Sequence, residues 1–576
     1  MKTTLGKVGV CLGMATLSVG ASAYEFDTGL GDLHGSWVSN VTGGLGLRLK
    51  NPSCSLTGDP NAYNDCGDGA NVDQYGAGSN GNLNYRKGQL YTTYLSLTSE
   101  LLLTLPQEGY KFMVRGTGLY DFLASDTSYT PLSSTAKAQV VHNVTLLDLW
   151  GEKDFDITGL PAHVRLGNQV INWGESYFAS GGINATNALD IQKLLIPGTQ
   201  LKQALLPAPM LSFASELPYG FSTEAYYQFQ WSSNRYPPVG TYFSTTNVFG
   251  RGMLPYTVNA NNFNVAGIGA NAVSVPVGTL LPSDSSPQYG VKLTYKPKAI
   301  DANFGLYYEE YTDKSPVLSS LSNGSLQWSY LGRRKLVGAS TNFQIGDWAI
   351  GSELSYRPKD AVALTGCYGA GGPLDANTNG VSGVNCQQWI DKKKIQFDIN
   401  GQINLTQSTA PFIKLLGAEA AVFTAEFTWV KYPGVSADSL YYRTINGVNV
   451  VQAPAAGYSN WLNNTSGLGY PIATGQGTSN SGGITLDFNW TYDGSLIRGW
   501  QVTPGVTFSD SILGYTPTFS ANYMAGAKSI NVYVLFNQNP TVWQGGLNFT
   551  TYFGGNALSQ PYADRNFVGA FVTRNF

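Results

Sequence analysis

The sequence predicts an all-β protein, a transmembrane antiparallel β-barrel of about 18 strands, with 16 strands as the alternative. Three observations support this: few charged residues, an export signal at the amino terminus, and long segments in which apolar and polar side chains alternate. Successive side chains of a strand point to opposite faces, so alternation gives each strand one apolar and one polar face. A tilted strand of about 9 to 11 residues is long enough to cross a bilayer.

The first 23 residues have the form of a secretory signal peptide. Lys2 and Lys7 precede an apolar stretch at residues 8–19, and small residues lead to a cleavage site after Ala23. The stretch is too short for a spanning helix, which needs about 20 apolar residues. We therefore expect residues 1–23 to be removed and residues 24–576 to form one barrel domain. The formal net charge of −3 would then become −5, because both lysines are lost.

The composition argues against several ordinary soluble domains. Charged residues make up 12% of the chain, against about 25% in soluble proteins, so part of the surface must face lipid. No run of 18 apolar residues follows the signal peptide, and a spanning helix is therefore not predicted. Closed barrels are the other structure that spans a bilayer, because lipid offers no hydrogen-bond partner to backbone groups.

Alternation is clearest at residues 392–406, where Ile395 and Phe397 lie on one face and Lys394 and Asp398 on the other. Lysine on the lipid face costs about 2–4 kcal/mol at mid-depth, so the polar face must line the interior. Strands 4 and 6 fit the pattern least well, and in strand 4 the polar His142 and Asp148 share a face with Val144 and Trp150, which leaves 16 strands as the alternative. Counting such segments gives strands at 33–50, 88–105, 110–122, 140–152, 160–173, 208–217, 221–231, 287–297, 302–312, 333–345, 348–358, 392–406, 418–431, 482–492, 499–509, 528–537, 541–553 and 566–576.

The connections give a second indication of the topology. Those after even strands are mostly short, whereas long ones follow odd strands, at 51–87, 174–207, 232–286, 359–391 and 432–481. Short periplasmic turns and long outer loops are typical of bacterial outer-membrane barrels. The last strand ends in Phe576, similar to the carboxy-terminal signal of such proteins. We therefore expect the chain to lie in the bacterial outer membrane.

The four cysteines of the mature chain form two local pairs. Cys54 and Cys66 fall in one predicted outer loop, and Cys367 and Cys386 in another. Export to an oxidising compartment favours two disulfides, although four cysteines allow three connectivities. A metal site is the weaker interpretation, since the three histidines lie far from these pairs. We expect no metal, no other cofactor and no nucleic acid.

The segment after strand 5 has a distinctive sequence. It begins RLGNQVINWGES at residue 165 and continues through 181–184, 187–191, 194–198 and 201–207, with a further block at 224–243. These residues resemble the bacterial family called domain of unknown function 1302, predicted outer-membrane proteins of Gram-negative bacteria. The resemblance implies transfer of a hydrophobic or lipid-like molecule across the envelope, with a periplasmic carrier and an inner-membrane exporter as partners. It is specific around residues 160–250 and diffuse elsewhere.

Residues 174–207 are too apolar for a loop in water. Two short amphipathic helices are predicted by apolar residues that Pro197 and Pro207 interrupt: Leu189, Ile191, Leu194, Leu195, Ile196, Leu201, Leu205 and Leu206. We expect this segment to fold inward as a plug, because an 18-stranded barrel otherwise encloses an open aqueous lumen. Arg165, Gln169, Trp173 and Glu175 are expected at a constriction, with the alternative that they only anchor the plug to the wall. The candidate constriction and plug residues are Arg165, Gln169, Trp173, Glu175, Asn184 and Asp190.

The predicted lumen-facing charges carry both signs, which favours pairing along the wall over ion selectivity. These charges are Lys111, Arg115, Asp121, Arg165, Glu224, Lys292, Lys296, Glu309, Glu353, Arg357, Lys394, Asp398, Glu426 and Asp487. His142 and His163 lie on separate strands and no Gly-x-Ser-x-Gly motif occurs, so an enzyme is not expected. Three hypotheses remain: a plugged transporter of hydrophobic molecules, a water-filled diffusion porin, and a surface structural or adhesion protein.

Overall fold

A computed structural model describes residues 24–27, 32–53, 56, 78–259, 272–281, 288–321, 323, 325–368, 386–435, 441–445, 448–452, 477–555 and 559–576. The predicted signal peptide, residues 1–23, lies outside these residues. So do Cys54 and Cys66 of the first predicted disulfide. Cys367 and Cys386 lie in strands, but their side chains are outside the described part, so both disulfides stay predictions.

Eighteen long strands form the barrel, which we number in chain order. They are β1 His34–Arg48, β2 Leu90–Leu105, β3 Tyr110–Asp121, β4 His142–Ile157, β5 Leu160–Gln169, β6 Ala208–Leu217, β7 Phe221–Gln228, β8 Gln288–Tyr295, β9 Ala302–Tyr311, β10 Arg334–Ile345, β11 Trp348–Tyr368, β12 Cys386–Thr406, β13 Ala420–Lys431, β14 Asn480–Ile497, β15 Trp500–Leu513, β16 Lys528–Gln538, β17 Trp543–Phe553 and β18 Phe567–Asn575. Each predicted strand corresponds to one of them.

The sheet closes because β18 pairs with β1. Their antiparallel register runs from Asn40 opposite Asn575 to Arg48 opposite Phe567. Every other strand pairs antiparallel with its neighbours in the chain, so the ring has no free edge. The predicted count of 18 is confirmed, and the alternative of 16 is wrong.

Burial follows the alternation along the strands. Leu97 is 50% exposed and Val144 is 89% exposed, whereas Thr98, Glu353 and Asp398 are buried. Apolar side chains therefore form the outer surface and polar side chains line the interior, as predicted. No helix in the described part of the chain is long and apolar enough to cross a membrane.

The irregularity predicted for strand 4 has a local cause. Between the pairs Val114 with Leu149 and Gly116 with Leu146, two residues of β4 face one residue of β3. This β-bulge turns Leu147 and Asp148 inward together and shifts the alternation by one residue. His142 and Val144 therefore face outward while Asp148 lies in the lumen.

Two strands run well beyond their predicted ends. β11 continues to Tyr368 and β12 begins at Cys386, so much of the predicted loop at 359–391 is strand. β5 instead ends at Gln169, where the chain turns into the lumen. The turn between β12 and β13, residues 407–419, is longer than the other periplasmic turns, which have two to six residues.

The remaining elements in the described part of the chain lie in the connections or before β1. The helices are α1 Asn80–Leu83, α2 Ser134–Val140, α3 Ile191–Leu194, α4 Leu201–Ala204 and α5 Pro411–Leu415, with a 3-10 turn at Pro218–Gly220. Short strands are Tyr24–Asp27, Ala188–Leu189, Leu205–Leu206, Tyr256–Asn259, Ala272–Val275, Val277–Leu280, Val317–Ser320, Leu326–Ser329, Tyr441–Ile445 and Val448–Gln452. In the connection after β7, Tyr236, Tyr242 and Phe243 pack against Tyr91 and Phe567 of the barrel wall.

Candidate functional site: the plugged lumen

Residues 170–207, which we call the plug, leave the wall at the end of β5 and cross the lumen. The first half contacts the wall from β7 to β13, and the second half reaches β2 and β18. There the Tyr94 hydroxyl donates to the Pro197 carbonyl, and the Gln203 amide donates to the Thr98 hydroxyl at 2.7 Å. The predicted inward fold is confirmed, because both sides of the lumen hold this segment.

Trp173 anchors the start of the plug. Its side chain is 3% exposed, and its ring lies 5.1 Å from that of Tyr226 and 5.9 Å from that of Tyr307. The indole N–H donates to the Glu224 carboxylate at 2.8 Å, which satisfies the one polar atom of the buried ring. Trp173 is therefore fixed to the wall rather than directed into an open passage.

Two wall carboxylates bind the plug backbone. Glu353 accepts the N–H groups of Glu175 at 2.7 Å and Ile183 at 2.8 Å. Glu426 accepts those of three successive residues, Tyr177 at 2.9 Å, Phe178 at 2.5 Å and Ala179 at 2.8 Å. Hydrogen bonds to an ionised acceptor are about twice as strong as neutral ones. We call Glu353 and Glu426 the carboxylate latch.

Basic side chains bind carbonyl groups of the same plug residues. The Arg357 guanidinium donates to the carbonyls of Gly181 at 2.5 Å and Gly182 at 2.6 Å, and the Lys394 ammonium donates to Gly181 at 3.1 Å. The Gln396 and Asn400 amides add bonds to nearby plug carbonyls. Acidic side chains on β11 and β13 thus bind N–H groups of the plug, and basic side chains on β11 and β12 bind its carbonyl groups. The sequence had instead predicted that these acidic and basic side chains pair with one another.

The Gly181-Gly182 pair makes this close approach feasible. Gly181 has a φ of 85°, which side chains strongly disfavour, and a Cβ at Gly182 would lie 2.0 Å from a Glu353 carboxylate oxygen. Any larger residue at 182 would displace the plug from the wall. The paired glycines are a sequence signal that could have indicated a close backbone approach, although they do not identify the latch residues.

The other candidate residues have different surroundings. Arg165 pairs with Glu152 on β4 at 2.5 Å, and the Gln169 amide donates to the Met210 carbonyl at 3.0 Å, so both stabilise the wall. The Glu175 carboxylate accepts from Asn342 at 3.0 Å, and burial raises its pKa. These three residues do not converge on one point.

Asn184 and Asp190 lie further along the plug. Asn184 lines the lumen cavity. Asp190 is buried, accepts the Lys193 N–H as the N-cap of α3, and lies 3.6 Å from the Arg235 guanidinium. Burial raises the pKa of Asp190, whereas burial lowers that of Lys193. Helices α3 and α4 are the two short helices that the leucine pattern predicted.

A cavity of about 400 Å³ lies between the plug, the wall and the outer loops. The plug contributes apolar side chains to it, including Leu194, Leu201 and Leu205. Strands β14 and β15 and the loop after them contribute hydroxyl groups, as at Thr485, Ser509 and Thr518. Charged side chains also line the cavity, at Asp313, Lys314, Glu353, Arg357, Asp360, Lys394, Glu426 and Asp510. The cavity is amphipathic, with space for a small solute.

Several other lumen charges form wall pairs, as predicted, whereas Asp121, Glu309 and Asp487 accept hydrogen bonds from hydroxyl groups. Lys111 lies 2.9 Å from Glu152, Arg115 pairs with Asp148, and Lys292 lies 2.8 Å from Glu224. No group of His, Cys, Asp or Glu in the described ranges could hold a metal ion.

The whole chain matches one protein family. The family described as Protein of unknown function (DUF1302) matches residues 4–576. The chain belongs to this family. The resemblance found at residues 160–250 therefore extends over nearly the full length of this DUF1302 member. No curated protein matches it.

Several solved structures share similarity with this DUF1302 member at low identity. They include OccAB2 of Acinetobacter baumannii (9% identity, TM-score 0.41, covering 94% of this chain and 98% of that one). OpdK of Pseudomonas aeruginosa with vanillate has 9% identity and a TM-score of 0.40 over the same shares. A BenF-like porin from Pseudomonas fluorescens Pf-5 has 8% identity and a TM-score of 0.41, covering 95% and 98%. A closed 18-stranded barrel with an apolar exterior is itself the architecture of bacterial outer-membrane proteins, and the chain is one of them.

Proposed function

We propose that the protein is a selective outer-membrane channel that carries a hydrophobic or lipid-like solute past its plug. The plug is the observation on which this depends, because it crosses the lumen and presents leucines to an interior cavity. Apolar side chains in a water-filled lumen gain from binding an apolar group that displaces water. A cavity with hydroxyl groups on other parts of its lining suits a solute that also has a polar end.

We also propose that the barrel acts with a periplasmic carrier and an inner-membrane exporter, as the family resemblance implies. A hydrophobic solute is poorly soluble in the periplasm, so a periplasmic carrier would have to exchange it with the barrel. An inner-membrane exporter would connect to the same route. The short periplasmic turns leave the lower rim of the barrel accessible to such a carrier.

A water-filled diffusion porin is the second candidate. The observation that favours it is the hydroxyl-rich and charged lining from β14, β15 and the neighbouring strands. The two functions differ in what passes when no partner is present. A general porin admits small sugars at high rates, whereas a selective plugged channel does not.

Liposome swelling with small sugars tests the proposal directly. We expect slow swelling for the parent protein and rapid swelling after deletion of residues 181–206, with heat-modifiable gel migration confirming that the deleted barrel folds. Mass spectrometry of the detergent-extracted parent should then identify a bound amphipathic molecule that the deletion variant lacks. Rapid sugar entry through the parent would support the porin instead.

A further inference from the structure

The periplasmic turn between β12 and β13 has a built structure of its own. Pro411 occupies the first position of α5. A backbone N–H at this position has no partner within the helix, so proline costs no helical hydrogen bond there. The helix ends at Leu415, and Gly417 beyond its C-cap has a φ of 68°. The N–H groups of Gly417 and Ala418 bond to the carbonyls of Lys414 and Ile413 at 3.0 and 3.2 Å. This is a Schellman motif, which fixes the end of the helix. We call residues 407–419 the foot.

The foot folds back onto the outside of the barrel. Ile413 is fully buried, and Ala410 and Ala418 join it in one apolar cluster. The wall side chains in this cluster are Leu405, Ala421, Phe488, Trp490 and Tyr492. They lie on the outer face of β12 to β14, because along these strands their positions alternate with those of lumen-facing residues such as Glu426 and Asp487. The foot therefore covers part of the surface that faces lipid.

Two contacts set the height of the foot along the barrel. The Tyr492 hydroxyl donates to the Leu416 carbonyl at 2.8 Å, and the Phe412 ring lies 6.2 Å from that of Phe488. Trp490 and Tyr492 are aromatic residues near the periplasmic end of β14. Such residues mark the membrane interface in barrels, so the foot lies at the level of the periplasmic headgroups.

The outward side of the foot is apolar. Leu415 is 90% exposed, and Phe412 and Leu416 are 48% and 39% exposed. Lys414, between them in sequence, is also exposed. Large apolar groups held out by a fixed helix, with a cation beside them, are the features of an interfacial lipid-binding segment.

We propose that the foot binds the periplasmic leaflet of the outer membrane, with Phe412, Leu415 and Leu416 among the acyl chains and Lys414 at an anionic phosphate headgroup. Continuity with the lipid-facing surface favours lipid over a protein partner. Ile413 and the exposed side chains belong to one helix that already packs on that surface, so the surrounding lipid reaches them without any other molecule. This site is independent of the solute carried in the lumen.

Spin labelling of the full-length protein tests the proposal. A nitroxide at Leu415→Cys is measured in phosphatidylcholine vesicles with and without phosphatidylglycerol, after subtracting the signal of the identically treated parent. The matched control is Asp347→Cys, in the two-residue turn between β10 and β11. Heat-modifiable migration shows which variants are folded, and Phe412→Cys replaces Leu415→Cys if the latter does not fold.

We expect the label at 415 to be relaxed several-fold more by oxygen than by a water-soluble nickel complex, and the label at 347 to show the reverse. Adding Lys414→Gln should remove any increase in depth that phosphatidylglycerol causes. Equal access of the nickel complex to both labels would overturn the proposal. Protection of the label at 415 only after a periplasmic extract is added would also overturn it, since the occupant would then be a protein.

Discussion

The carboxylate of Glu353 accepts the backbone N–H of Ile183 at 2.8 Å, across 170 residues of sequence. Glu353 lies on the barrel wall and Ile183 on the plug, so this bond joins the two parts that determine the width of the lumen. Glu426 makes the equivalent contact with three successive plug N–H groups. The plug is held through its backbone, which explains why its side chains alone did not reveal the latch.

Glu426→Gln should loosen the plug. Its amide NH₂ would face at least one of the three N–H groups that the carboxylate now accepts, and losing a hydrogen bond to a charged group costs about 1.5–3 kcal/mol. We expect higher and noisier single-channel conductance in planar bilayers. Glu108→Gln is the matched control, because Glu108 is exposed in a periplasmic turn. Conductance traces identical to those of the parent would show that the latch does not restrict the lumen.

Trp173 should contribute mainly through packing. Trp173→Ala removes a buried ring that contacts Tyr226 and Tyr307, a loss of about 3–5 kcal/mol. Trp173→Phe keeps a ring and removes the bond to Glu224, at a cost of about 1 kcal/mol, because Lys292 still pairs with that carboxylate. The temperature at which heat-modifiable migration is lost should fall much further for alanine than for phenylalanine. Equal falls would assign the main role to the hydrogen bond.

The barrel could be predicted from the sequence because lipid acts on every spanning residue in the same way. Residues 392–406 show this effect, since lipid contacts each outward-facing side chain and the lumen contacts each inward-facing side chain. The bulge at Leu147 and Asp148 was missed because it shifts which residues of β4 face outward without changing the amino-acid composition of the strand. The extensions of β11 and β12 were missed because strand residues beyond the membrane need not alternate between apolar and polar side chains.

The site was harder to predict than the wall. The apolar character of residues 174–207 predicted a plug, and Glu353, Arg357 and Glu426 were predicted to face the lumen. Their partners could not be assigned, because the bond from Tyr177 to Glu426 joins residues 249 apart. Local periodicity contains no information on which loop fills the lumen beside a given strand.

Lumen selectivity should depend on pH through Lys314, in the loop after β9. Burial lowers the pKa of Lys314 to about 7, while burial raises that of the adjacent Asp313 to about 7. As pH falls from 8 to 6, Lys314 gains a positive charge and Asp313 loses a negative one, so both changes favour anions. The reversal potential in a KCl gradient should shift accordingly, and Lys314→Met should reduce the shift. A reversal potential that is independent of pH in the parent would contradict this assignment.

The environment of the outer face can be tested at Leu97, midway along β2. Leu97 pairs with Val41 on β1 and Gly118 on β3, and its side chain is 50% exposed on the apolar surface. Arginine at the bilayer midplane costs about 2–4 kcal/mol, because its charge must reach water through a distorted bilayer. Leu97→Arg should therefore lower the urea midpoint of unfolding from lipid vesicles far below that of Leu97→Ala, which loses only apolar contact. Water on that face would solvate the guanidinium and make the two midpoints similar, so the difference between these variants measures which solvent contacts the outer surface.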